Sequence, residues 1–73
     1  MTKLPRVSGR ELVAALLKKH FVVKRQHGSH IILRRDDPFA QVVVPGHREI
    51  DKGTLRSILR QADISIEEIV ELL

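Results

Sequence analysis

The chain has no Cys, no Trp and no Tyr, and its 73 residues include only two Phe, four Gly and three Pro. Without Cys there is neither a disulfide framework of the kind that staples small secreted domains nor a thiolate zinc site, so the chain suits a reducing compartment. Long apolar runs are missing as well: Phe21-Val22-Val23, Ile31-Ile32-Leu33 and Val42-Val43-Val44 fall far short of the roughly 20 residues a spanning helix needs. Met1-Thr2-Lys3-Leu4-Pro5-Arg6 carries no apolar secretory region, and the cytoplasm is the expected location. With no Trp or Tyr and only two Phe, the chain lacks the set of strand aromatics on which single-strand-reading sheets stack bases, which argues against recognition by stacking. A chain below about 80 residues leaves room for one domain, residues 1–73, with a modest core and no cofactor domain. No Walker-type loop, dinucleotide fingerprint, paired carboxylate set or Gly-x-Ser-x-Gly elbow is present, and no cofactor is expected.

What is abundant is positive charge, unevenly placed. The net charge is +4, but residues 1–35 hold nine Lys or Arg against Glu11, a balance of +8, whereas residues 36–73 carry −4. Such a field attracts polyanions, RNA or DNA above all, although a solvated basic surface is the plainer reading of charge alone.

The pattern along the chain gives an architecture. Ser8-Gly9-Arg10-Glu11 has the Ser-x-x-Glu spacing of a capping box, and Leu12, Val13, Leu16 and Leu17 then form one apolar stripe, predicting a helix from about Gly9 to Lys19. Phe21 to Gln26, His30 to Arg35 and Gln41 to Val44 are rich in β-branched residues and separated by short turn signals, so they predict an antiparallel meander. Asp51 can cap a second helix with Leu55, Ile58, Leu59 and Ala62 on one face, and Ser65-Ile66-Glu67-Glu68 repeats the capping box before a last helix. The expected fold class is α+β, in the order α-β-β-β-α-α, with a three-stranded antiparallel sheet covered by helices on one face and open on the other.

The candidate chemistry lies in the four histidines. Period-two alternation groups His30, Ile32 and Arg34 on one face of the second strand and Ile31, Leu33 and Arg35 on the other, without revealing which face is buried. A strand histidine among Arg and Lys suits proton transfer at an RNA 2′-hydroxyl or leaving oxygen, with cations stabilising the developing charge; an ordinary exposed histidine is the bland alternative. His27 and His30 with His47 could form a three-imidazole metal site, but a spacing of three across a Gly-Ser turn suits ligation poorly and no metal is expected. His20 reads as a helix C-terminal residue interacting with the dipole. Gly28 permits a tight turn and close approach of a phosphate, and Ser29 can bond the turn or a phosphate oxygen. Lys24, Arg25, Arg34 and Arg35, with Arg6 and Arg10 at the amino end, are the candidate phosphate contacts.

The runs Lys3 to Leu12, Arg25 to Arg34, Val44-Pro45-Gly46-His47 and Lys52 to Ala62 together resemble the HicA-type (YcfA-like) mRNA interferase toxins, over essentially the whole chain. The resemblance implies a double-stranded-RNA-binding-domain-like fold and an RNA-cleaving toxin of a type II toxin-antitoxin system, neutralised by a HicB-type antitoxin. It also implies that the histidine after Gly-Ser, here His30, is the one required for activity. Where such toxins often have Gly after the first helix and before the last capping Ser, this chain has His20 and Asp63, residues that tolerate a left-handed backbone better than most. The expected activity is metal-independent endoribonucleolytic cleavage, with His30 as general base or acid and His47, His27 or water in the other proton-transfer role. A non-catalytic RNA-binding module of the same fold is the alternative, and a domain serving only an acidic protein partner is a third reading.

Overall fold

The computed structural model describes residues 3–73. Its elements are α1 (Gly9–Leu17), β1 (Val22–His27), β2 (His30–Asp36), β3 (Phe39–Pro45), α2 (Lys52–Ala62) and α3 (Ile66–Leu72). The three strands form one antiparallel sheet in the order β1-β2-β3, so the chain has the α+β order that its pattern predicts and the double-stranded-RNA-binding-domain-like arrangement that the resemblance implies.

Each helix begins where a side chain can satisfy its first amides. Ser8 Oγ accepts from Glu11 N–H at 3.0 Å while Ser8 N–H donates to Glu11 Oε1 at 2.8 Å, and Ser65 and Glu68 repeat the reciprocal pair at 3.0 and 3.1 Å. Asp51 accepts from Thr54 N–H at 3.0 Å and from its hydroxyl at 2.6 Å. Each such cap contributes about 1 kcal/mol. The first two helices end alike. His20 (φ 70°) and Asp63 (φ 57°) adopt the left-handed conformation. The amides of the following Phe21 and Ile64 then donate back to Leu16 O at 3.2 Å and Leu59 O at 3.0 Å. That reversal is a Schellman motif, and it buries Phe21 and Ile64 against the core. It also ends α1 at Leu17, two residues before the boundary the apolar stripe suggests.

The core lies between the helices and one face of β2 and β3. Leu33 on β2 and Ala40, Val42 and Val44 on β3 point into it, and Leu12, Leu16, Leu55 and Ile69 close over them from the helices. The alternation thereby acquires its phase: Leu33 and Arg35 face the helices, and His30, Ile32 and Arg34 face the open side. Every residue of β1 is exposed, because the helices cover β2 and β3 and leave β1 at the uncovered edge. The strand also carries a bulge, since Val23 pairs with Leu33 and Arg25 with Ile32, leaving Lys24 without a partner in the register. A bulge and two charges on one strand obstruct further strand pairing at that edge.

One expected phosphate contact is corrected by this packing. Arg35 is only 9% exposed. Its Nε donates to Pro38 O at 2.9 Å, its Nη2 donates to Ala62 O at 3.2 Å, and the guanidinium lies 4.8 Å from the centroid of the Phe21 ring. Because the strand turns Arg35 toward the helices, its donors are used to bind the β2–β3 turn and the end of α2 to the sheet. It belongs to the core and not to a nucleic-acid surface.

Candidate functional site

The sheet's open face is built from directly opposed residues, whose side chains share a face in an antiparallel pair. His27 on β1 opposes His30 on β2, which in turn opposes Pro45 on β3. The next row is Arg25, Ile32 and Val43, and the one after it is Val22, Arg34 and Gln41. His30 therefore stands at the hairpin end of an exposed face, with a second imidazole across from it, Arg25 in the next row and Arg34 in the row beyond that.

The turn behind His30 is held from two sides. Gly28 has φ +56° with no atom near the place a Cβ would occupy, so backbone conformation and not crowding favours glycine there. Gln26 Nε2, near the end of β1, donates to Gly28 O in the turn at 3.0 Å. Ser29 does not depend on its hydroxyl for placement: its carbonyl accepts from Gly46 N–H at 2.5 Å, which joins the β1–β2 hairpin to the segment after β3. That segment is bonded onward, because Gly9 N–H donates to His47 O at 2.9 Å and Ile50 N–H donates to Val7 O at 2.9 Å. Gly9 has no alternative, since a Cβ there would run into the Pro45 carbonyl and the Gly46 Cα. The start of α1, the hairpin and the β3–α2 connection thus meet at one end of the molecule.

A cleft of about 230 Å³ opens at that junction, lined by Ser8, Arg10, Ile31, Gly46, His47 and Arg48. Because Ile31 alternates with His30, this cleft lies on the helix side of the sheet's end and His30 on the open side. His47, the expected second acid or base, lines the cleft, whereas His27 shares the face of His30. Among the described residues no three of His, Asp or Glu gather as a metal site, so the His27, His30, His47 cluster raised by their spacing does not form.

The expected cations are divided by the fold. Arg25 lies on the open face, Lys24 at the bulge, and Arg10 at the cleft, all exposed. Arg34 is on the open face but its Nε is paired with Asp36 Oδ1 at 3.0 Å, an exposed pair that a phosphate can displace at small cost. Arg6 is exposed just before buried Val7 and does not line the cleft. Arg48 was not singled out from the sequence; the only local signal is a cation next to His47, and its significance comes from the loop's folded position. Two carboxyls are shifted, both by caps. Thr54, through its hydroxyl and then its amide, holds Asp51 below the usual carboxylate range, and the Ser65 amide followed by Lys19 at 3.2 Å does the same for Glu68.

Among the described residues no helix is long and apolar enough to cross a membrane. No curated protein matches the chain significantly. The family model described as the HicA toxin of bacterial toxin-antitoxin systems matches residues 9–64, a span that runs from the first residue of α1 through the hairpin and cleft to the residue closing α2. The chain belongs to the HicA toxin family, the RNase-like toxins of bacterial toxin-antitoxin systems.

Proposed function

We propose that the chain is an endoribonuclease that cleaves RNA phosphodiester bonds with His30 as its proton-transferring group and without a metal ion. The observation that carries this reading is the placement of His30: exposed on the open face, on an anchored turn, opposite His27, with Arg25 in the next row and Arg34 in the row beyond it. In the proposed step the 2′-oxygen attacks the adjacent phosphorus, its proton passes to a general base, and the P–O5′ bond breaks as the 5′-oxygen takes a proton from a general acid. The products are a 2′,3′-cyclic phosphate and a 5′-hydroxyl. His30 fills one of the two proton roles, and the cations stabilise charge on the non-bridging oxygens. The other role falls to a second imidazole or to water; the register favours His27, which opposes His30 directly, over His47 on the far side of β2.

Gly28 and the Ser29 turn allow the RNA backbone to approach the strand closely, and Lys24, Arg25, Arg34, Arg10 and Arg6 supply phosphate contacts. The antitoxin in this reading is HicB-type and neutralises the toxin by covering the open face with its basic rim. The test is cleavage of a mixed-sequence RNA by the purified chain in EDTA, beside His30→Ala. Cleavage that survives EDTA and is lost in the variant supports the reading. RNA that is bound but left intact by the wild-type chain sinks it and leaves a non-catalytic RNA-binding module.

A further inference from the structure

The cleft on the helix side has features that the reaction at His30 does not use. Arg10 and Arg48 project into it from two different elements, the first turn of α1 and the β3–α2 connection, and His47 joins them. Among the described residues neither arginine makes an ion pair; the pairs present are Lys19 with Glu68 and Arg34 with Asp36. Glu11, the nearest acidic residue in sequence to Arg10, is turned back onto Ser8 N–H by the capping box. The start of α1 offers little by itself, since Gly9 N–H is bonded to His47 O and Glu11 N–H to Ser8 Oγ. Any affinity for an anion must come from the side chains. Its volume of about 230 Å³ is below the roughly 300–1,000 Å³ of sites that enclose a drug-sized ligand, yet ample for a phosphate group with its waters. The walls are also fixed, because the Gly46–Ser29 and Gly9–His47 bonds tie all three contributing segments together.

We infer that this cleft is a second phosphate subsite for the RNA chain, in which Arg10, Arg48 and His47 hold a phosphodiester neighbouring the one cleaved at His30. The inference rests on the RNA-cleaving reading and deepens it. The Gly46–Ser29 bond places the cleft directly behind the turn that presents His30, so a single strand passing around the hairpin end sets one phosphate on the open face and another in the cleft. His47 is then a positioning residue that fixes the register of the strand, and the second proton role passes to His27 or water.

The test uses the full-length chain and a 2′-O-methyl RNA hexanucleotide, which cannot supply the attacking hydroxyl, so binding is read apart from cleavage. Affinity is measured by fluorescence anisotropy across 50–200 mM salt for the wild type and for the double variant Arg10→Gln/Arg48→Gln. Loss of one single-strand phosphate contact lowers the slope of log affinity against log salt by about 0.7 and weakens binding about fivefold at 0.1 M salt. The accompanying readouts are a shift of the His47 ring signals in an NMR titration of the wild type with the same oligonucleotide, and partial recovery by Arg10→Lys/Arg48→Lys. Both arginines are exposed, and matching circular-dichroism melts establish that the variants are folded. An unchanged slope with unmoved His47 signals, while the hexanucleotide still binds, overturns the subsite and leaves RNA cleavage standing. Inorganic phosphate that moves those signals when the oligonucleotide does not makes the cleft a free-anion site and also overturns it. A wild-type chain that fails to bind the hexanucleotide at 50 mM salt removes the subsite and RNA recognition together.

Discussion

Arg35 and Arg34 are adjacent, share a charge and have opposite roles, which makes their exchange for Ala informative. Truncating Arg35 removes donors to Pro38 O and Ala62 O and the cation over Phe21. A carbonyl left without a partner in a buried setting costs ~1–3 kcal/mol, and a partly desolvated cation–π contact is worth ~0.5–2 kcal/mol. A loss of about 2–4 kcal/mol follows, against a total stability of roughly 4–11 kcal/mol for a chain of this length. Thermal midpoints of domains this size move by about 4–8 °C per kcal/mol, so Arg35→Ala lowers Tm by roughly 8–32 °C. Arg34→Ala breaks an exposed pair and changes stability by no more than about 0.5 kcal/mol. RNA affinity, measured at a temperature where both variants are folded, orders them the other way, with Arg34→Ala weaker and Arg35→Ala near wild type. An Arg35→Ala protein that melts like the wild type but no longer binds RNA would refute the buried assignment.

Asp63→Gly relieves a left-handed non-glycine residue and removes a carboxylate from the negative end of α2; net of the added freedom of the unfolded chain, Tm rises by about 3–8 °C, whereas Asp63→Ala lowers it. Gly9→Ala drives a Cβ into the Pro45 carbonyl, so it lowers Tm and, because that contact sets one wall of the cleft, reduces RNA affinity in whatever fraction stays folded. The lowered carboxyls of Asp51 and Glu68 bind protons more weakly in the folded chain than in the unfolded one. Their stabilisation is full above the usual carboxylate range and fades as pH falls through it. Asp51→Asn retains a capping oxygen without titrating there, and its Tm therefore falls less steeply with acid than that of the wild type in parallel melts.

The parts of the fold legible in the sequence are those decided within a few residues. Ser8 with Glu11 and Ser65 with Glu68 announce helix starts because both partners of each bond lie one turn apart. His27-Gly28-Ser29-His30 announces a hairpin for the same reason. The phase of β2 was not legible: Ile31-Ile32-Leu33 is apolar on both sides and Arg34-Arg35 is charged on both, so only the arrival of α2 and Phe21 over one side decides that Arg35 goes in. The bulge at Lys24 has no local signature such as a glycine. His30 could be singled out because its motif is local. The cleft could not, since Arg10 and Arg48 are brought together by backbone bonds between distant segments, Gly9 to His47 and Gly46 to Ser29.

That same pair of bonds constrains how the toxin can be silenced. The turn carrying His30 is pinned to the segment after β3, which is pinned to the start of α1, whose inner face is the core. Backbone hydrogen bonds therefore run from the turn that carries His30 to the body of the protein. A partner cannot swing His30 aside at modest cost; doing so would unfasten the domain. On the proposed reading, silencing then works by occupancy, with a body that sits on the open face and leaves, and each release returns a toxin whose geometry needs no rebuilding before it meets RNA again.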